Sequence, residues 1–220
     1  MTSNTSAMRG EKRRADILKA ALSLFNARGT QPVSTNHIAA ELGISVGNLY
    51  WHFSDKESIV RDLYAEQQRK SEGVWRPLAE ERNAIDLVVA GLRRTFAIAW
   101  EYRFLYRELA PLSRADPQLR KLHLACRERR REELVAFQTS LVQLGVLRLP
   151  SDESSLARLS DLSWMITLFW LPHVDLRDGT LTKRAVLEGA RAVLALYVPY
   201  AAKEHVQAFL VALERAGEEA

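Results

Sequence analysis

The chain has little of what several protein classes require. Among its 220 residues there is one cysteine, Cys126, so no internal disulfide can form and no oxidising compartment is implied. Its longest near-continuous apolar run, Trp164 to Pro172, falls far short of the roughly 20 residues a membrane span needs. The opening MTSNTSAMRGEKRR has no apolar stretch after its basic residues, so it does not read as a signal peptide. A soluble cytoplasmic protein with no membrane partner is expected. Glycine (10) and proline (7) are scarce and mostly fall between apolar-periodic stretches, which favours helices joined by short connections. No alternating apolar–polar run argues for a sheet. Enzymatic signatures are missing too: there are no paired Glu-x-x-His motifs, no nucleophile beside a base and no phosphate-cradling glycine loop. His123 and Cys126 lie one helical turn apart, but two ligands do not make a metal site, and His37 and His52 have no ligands at metal spacing. Neither an enzyme nor a cofactor nor a metal centre is expected.

What is present is apolar residue, 47% of the chain, enough for a sizeable core. The net charge is only +4, but its placement is uneven. From Arg9 to Arg28 six basic residues (Arg9, Lys12, Arg13, Arg14, Lys19, Arg28) face two acidic ones, Glu11 and Asp16. In the same stretch Ile17, Ala20, Ala21, Leu24 and Phe25 recur at spacings of three and four, one face of an amphipathic helix that Gly29 stops. The polar residues before Glu11 read as a flexible arm.

The next segment, TQPVSTNHIAAELGISVGNLYWHFSDKESI, carries the functional signal. Ser34 suits the N-cap of a short helix burying Ile38, Ala39 and Leu42, Gly43 supplies a turn, and Ser45 caps a second short helix through Phe53. Two short helices around a glycine turn outline a helix-turn-helix, whose second helix enters the major groove of DNA. Leu49 and Phe53, four apart, would anchor that helix. Val46, Gly47, Asn48, Tyr50, Trp51 and His52 would then face outward. Asn48 can bond adenine bidentately. Tyr50 and His52 can donate to phosphates, Lys56 can neutralise one, and Thr35 and Ser45 at the helix starts are expected among the DNA contacts. Trp51 is equally compatible with packing, and His52 with filling a domain junction.

These residues resemble the DNA-binding domain of the TetR family of regulators. GISVGNLYWHFSDKESI is similar to that family's capped recognition helix ending in Leu-Tyr-x-His-Phe, followed by a loop and Lys-Glu. AALSLFNARG and HIAAELG match its first two helices, and FLYRELAPLSRADPQLRKLH resembles a C-terminal domain of one subgroup. Asn48 stands where the family usually has Thr, and Val46 where it has a basic or hydroxyl residue, so no operator sequence can be borrowed. The resemblance implies an all-α chain with a three-helix helix-turn-helix domain and a larger helical domain for ligand binding and dimerisation. The last two long helices would pair with their copies in a four-helix bundle. A small molecule would shift the helix after the recognition helix and so change the distance between the two DNA-reading heads.

The division expected is a flexible 1–10, a DNA-binding 11–56 and a ligand-binding, dimerising 57–220. Beyond residue 57, helices are expected near 83–103, 105–112, 117–145, 152–171, 182–200 and 203–216. The stretch Trp164–Pro172 is apolar nearly all round, which calls for burial on both sides. A homodimer interface is therefore expected from Leu159, Ile166, Trp170, Gly189, Val193 and Tyr197. Trp75, Phe96, Trp100, Phe104, Cys126 and Trp164 are candidates for a pocket taking an apolar or aromatic effector, although aromatics at such spacing also suit plain core. Arg127, Arg129, Arg130 and Arg131, with Arg120 and Lys121 before them, read as a solvated helix face offset by Glu128, Glu132 and Glu133, or as an attractor of acidic ligands. The expected function is a repressor released from a palindromic operator on double-stranded DNA by a small effector. The alternative is a DNA-binding regulator governed by a protein partner or by concentration alone.

Overall fold

A computed structural model describes residues 2–149 and 154–216, with side chains from Met8. Among these residues the chain is all-α: α1 (Thr2–Arg28), α2 (Thr35–Glu41), α3 (Val46–His52), α4 (Lys56–Ser71), α5 (Ala84–Glu101), α6 (Arg103–Ala115), α7 (Pro117–Gln143), α8 (Ser154–Asp178), α9 (Lys183–Ala195) and α10 (Val206–Ala216). The only extended pairing described is an isolated bridge between Leu147 and Ala201. No described helix is long and apolar enough to cross a membrane.

Two compact units emerge, one of Met1–Arg69 with Tyr102–Lys121, the other of Lys70–Glu101 with Leu122–Ala220. These compact units do not part at residue 56, where the sequence suggested a division. Boundaries fall where few contacts cross, and α4 keeps Ile59, Val60, Leu63, Tyr64 and Gln67 buried well past that loop. The described residues of α6 also belong to the first unit.

In that unit α1 buries Ile17, Ala20, Ala21, Leu24 and Phe25 as the periodicity requires. It starts at Thr2 rather than Glu11, so the arm expected to be flexible is helical from Thr2 onward. No proline interrupts residues 2–10, and Gly10 costs only ~1 kcal/mol relative to alanine in a helix already propagating. Gly29 ends α1 at φ +79°, its N–H bonded to the Phe25 carbonyl at 2.9 Å. Ser34 caps α2 in a reciprocal box: its Oγ accepts the His37 N–H, and His37 Nδ1 accepts the Ser34 N–H. Leu42, expected in the core, lies at the C-cap and is half-buried. Asp55 starts α4, its carboxylate taking the Ser58 N–H at 2.6 Å.

α6 brings three anchors to this unit. The Phe104 ring lies 5.2 Å from Phe25, its N–H donates to Asn26 Oδ1, and the Glu108 carboxylate accepts both the N–H and the hydroxyl of Thr30. Arg61 of α4 pairs with Asp116, the cap of α7, at 2.6 Å. Burial alone would push the Asp116 carboxyl up, but Arg61 and the N–H groups of Leu119 and Gln118 outweigh it and hold it below the usual carboxylate range.

In the second unit α9 is central, packed on α5, α8 and α10. Gly189 makes this possible, because a Cβ there would overlap Phe96 and Trp170. Two helix ends differ most from expectation. α8 runs through Pro172 to Asp178 instead of stopping at 171, since Leu171 and Val174 are fully buried on either side of the proline and hold the helix together. Its expected first residues, 152 and 153, lie outside the described residues. α9 stops at Ala195 rather than 200, where the chain turns at Val198–Tyr200 and pairs through Arg148 N–H to Tyr200 O and Ala202 N–H to Val146 O.

Candidate nucleic-acid interface

The geometry of α3 follows from two anchors and a cap. Leu49 and Phe53 are buried, and Ser45 Oγ accepts the Asn48 N–H at 3.1 Å. Helical periodicity then turns Gly47, Asn48, Tyr50 and Trp51 outward, with Val46 and His52 half-buried. Trp51 is 78% exposed, far more than a packed tryptophan would be, with His52 edge-on at 4.8 Å. Open space surrounds Gly47, so nothing in this unit blocks the first turn of α3 from a close approach.

Thr35 is nearly buried and within 3.2 Å of the Tyr50 hydroxyl, tying the first turn of α2 to the exposed face of α3. Lys56 departs from expectation. Its ammonium donates to the carbonyls of Thr30 at 2.8 Å and Val33 at 3.1 Å, pinning the turn between α1 and α2. The phosphate contact expected of it would have to draw on an ammonium that these two carbonyls already engage.

Sequence reasoning missed Arg14. One guanidinium nitrogen donates to the His52 carbonyl at 2.5 Å, another pairs with Asp62 at 2.5 Å, and the group lies 4.0 Å over the Phe53 ring. It therefore locks the C-terminal end of α3 to α1 and α4. Burial first, then the charges of Arg14 and Arg13, push the His52 imidazole below its ordinary pKa. A neutral ring at physiological pH offers one N–H donor and no charge. The only hint of Arg14 in the sequence was the basic excess of α1.

A family model described as bacterial regulatory proteins, tetR family, matches residues 17–63, and one described as bacterial transcriptional repressor matches residues 68–209. The chain belongs to the TetR family. It is similar to the HTH-type transcriptional regulator SrpR of Pseudomonas putida, 34% identical over 88 residues, which is 40% of this chain and 41% of that protein. With the HTH-type transcriptional regulator UidR of Escherichia coli (strain K12) it shares 27% over 106 residues, 48% of this chain and 54% of the other. These matches span only about half of the curated relatives or less. A solved TetR-family transcriptional regulator from Marinobacter aquaeolei VT8 superposes with a TM-score of 0.81 at 29% identity, covering 92% of this chain and 98% of that one. Family and relatives are transcriptional regulators that bind DNA, not enzymes.

For this TetR-family chain, the residues expected to line a pocket do not all come together. Phe104 belongs to the first unit, where it is held by Phe25 and Asn26. Trp75, Phe96, Trp100, Cys126 and Trp164 lie in the second unit; Phe96 and Cys126 are buried and the three tryptophans half-buried. An open groove of about 580 Å³ lies elsewhere, between the start of α5 and α10, lined by none of these aromatics.

The expected dimer residues divide as well. Leu159, Gly189, Val193 and Tyr197 are buried within the single chain, while Ile166 and Trp170 are half-buried. Tyr197 sits in a buried polar network, accepting from Gln138 Nε2 at 2.8 Å and lying 3.4 Å from Ser163 Oγ, and burial pushes its phenol up. The exposed apolar face of α8 is instead Leu162, Met165, Phe169 and Leu176, spaced three, four and seven apart. The basic run is not one solvated face. Arg127 and Arg129 are exposed, but Arg130 is buried against Glu133 at 2.5 Å.

Proposed function

We infer that this regulator is a homodimeric repressor that reads a palindromic operator through α3 and is released by a small apolar or aromatic effector bound in the second unit. The observation that carries the reading is the presentation of α3: capped by Ser45, anchored by Leu49 and Phe53, clamped at its far end by Arg14, and exposing Gly47, Asn48, Tyr50 and Trp51 together. An exposed residue set on a rigidly held helix is what major-groove reading requires. Asn48 reads a base. Tyr50, Trp51 and His52 contact the backbone, with Val46 and Ser45 at the helix start. Thr35 and Lys56 position the motif from below.

Two heads on one operator require a dimer. The stripe Leu162, Met165, Phe169 and Leu176 supports pairing through α8, since four large apolar side chains at heptad-like spacing on one helix face suit a second helix. A twofold dimer then reads half-sites about one DNA turn apart.

Selection of genomic fragments by the purified protein tests this, with Asn48→Ala in parallel. Enrichment of a palindrome by the wild type, and its loss in the variant, is the expected result. Absence of enrichment from a folded dimer, with and without added metabolite pools, would overturn sequence reading by α3.

A further inference from the structure

The connection between α4 and α5, residues 72–83, contains no helix, and Gly73 takes φ +70° within it. Its Trp75 is half-buried, with the ring set between two helices of the second unit. On one side α5 offers Gly91, where a Cβ would lie 2.8 Å from the indole carbons. On the other side stands Phe137 of α7, its ring centroid 4.9 Å away and tilted by 57°. A glycine on one side and a tilted aromatic ring on the other leave room that a flat ring fills.

The way this ring is held sets it apart from the other indole seated on a glycine. Trp170 lies against Gly189, and its indole N–H also donates to the Ala185 carbonyl at 2.9 Å. The Trp75 indole N–H has no protein acceptor among the described residues. The segment around Trp75 is lightly tethered, by a long Val74 N–H to Ser71 O bond of 3.4 Å and by Leu78 N–H to Ser140 Oγ at 2.9 Å. Trp75 is therefore seated by apolar and ring contacts alone, and these are contacts that any planar apolar group can supply.

We propose that the Gly91–Phe137 slot is an effector subsite for a planar aromatic molecule and that Trp75 is its removable occupant. This rests on the reading of the second unit as effector-binding. The ligand takes the indole's place without any covalent change. Trp75 stands four residues past Ser71, the last residue of α4, a helix that begins at Lys56 in the DNA-reading motif. Eviction frees the segment into which that helix runs.

The sign of one substitution separates a plug from a wall. Isothermal titration calorimetry of the full chain uses indole and quinoline as probes and cyclohexanol as the non-planar control. A tethered competitor lowers apparent affinity, so removing it tightens binding. Trp75→Ala is expected to bind indole at least tenfold more tightly than wild type, Trp75→Leu to fall between, and Gly91→Leu added to Trp75→Ala to abolish the gain by filling the slot. Cyclohexanol should not distinguish the variants. Weaker or equal indole binding in Trp75→Ala, or no binding in any variant, overturns the proposal. If the alanine variant does not fold, Trp75→Leu carries the same test of sign. No DNA is needed, so failure of the operator reading leaves this result intact. Tighter indole binding that fails to release DNA would instead count against effector-controlled repression.

Discussion

Lys56→Ala separates the two roles open to this lysine, and the structure fixes what each predicts. The ammonium donates to the carbonyls of Thr30 and Val33, two residues that are themselves almost fully buried. Hydrogen bonds from a charged donor contribute ~1.5–3 kcal/mol each, and a buried carbonyl left unpaired costs a comparable amount. Lys56 is only half-buried, so water entering after truncation recovers part of this. A net loss of about 2 kcal/mol is a reasonable expectation for the pair of bonds. For a chain of this size each kcal/mol moves Tm by roughly 2–4 °C, giving a drop of about 4–8 °C. Melts must be run at one protomer concentration, because dimerisation itself shifts Tm.

The companion measurement is the salt dependence of DNA affinity. A phosphate contact contributes about −0.9 to the slope of log K against log salt. If Lys56 holds the α1–α2 turn, the variant binds more weakly but with the wild-type slope, and Lys56→Gln, whose amide can still reach one carbonyl, lies between. An unchanged Tm together with a slope shallower by about 0.9 would place the ammonium on a phosphate and refute the structural role.

Other consequences are open to direct measurement. Asn48→Ala should lose ~1–3 kcal/mol of discrimination at one operator position while retaining non-specific affinity; unchanged preference at every position would move base reading elsewhere. Arg14→Ala should loosen the end of α3, lowering operator affinity and speeding amide exchange at His52 and Phe53, whereas unaltered exchange would deny it the clamp. Phe169→Glu on the exposed face of α8 should shift sedimentation from dimer to monomer with helicity preserved, and a persistent dimer would place the interface on another face. Asp116 titrates below its ordinary value, so its stabilisation is complete above the unfolded pKa near 3.8 and is lost as pH falls through the lower folded value. Asp116→Asn should therefore reduce stability at neutral pH and flatten the acid limb of the stability curve. A parallel, merely lowered curve would show that the carboxylate's charge is not what Arg61 uses.

What could be read from residue order was what leaves a periodic or punctuated trace. Ile17 to Phe25, the caps Ser34 and Ser45 and the turn at Gly43 each announce themselves within a window of a few residues, and the structure places them as the pattern requires. Arg14 and Lys56 act across 38 and 26 residues of chain, and a long flexible side chain reaching a distant carbonyl has no local signature. Phe104 illustrates the same limit: apolar character predicted its burial, but only the fold could assign it to Phe25 rather than to a pocket.

The dimer residues show why apolarity alone misleads on which surface is buried against what. Along Trp164–Pro172 of α8 nearly every face is apolar, so the sequence indicates burial on both sides without saying which side is the chain's own. Gly189 settles one face of α9: Phe96 and Trp170 of the same chain are seated on it. Leu159 likewise faces inward, one turn before Leu162 emerges to solvent. The residues left over, Leu162, Met165, Phe169 and Leu176, are the ones whose exposure a monomer has no reason to keep. The two indoles seated on glycines differ in the same terms: Trp170 has a second tie through the Ala185 carbonyl, whereas Trp75 is seated by ring contacts alone.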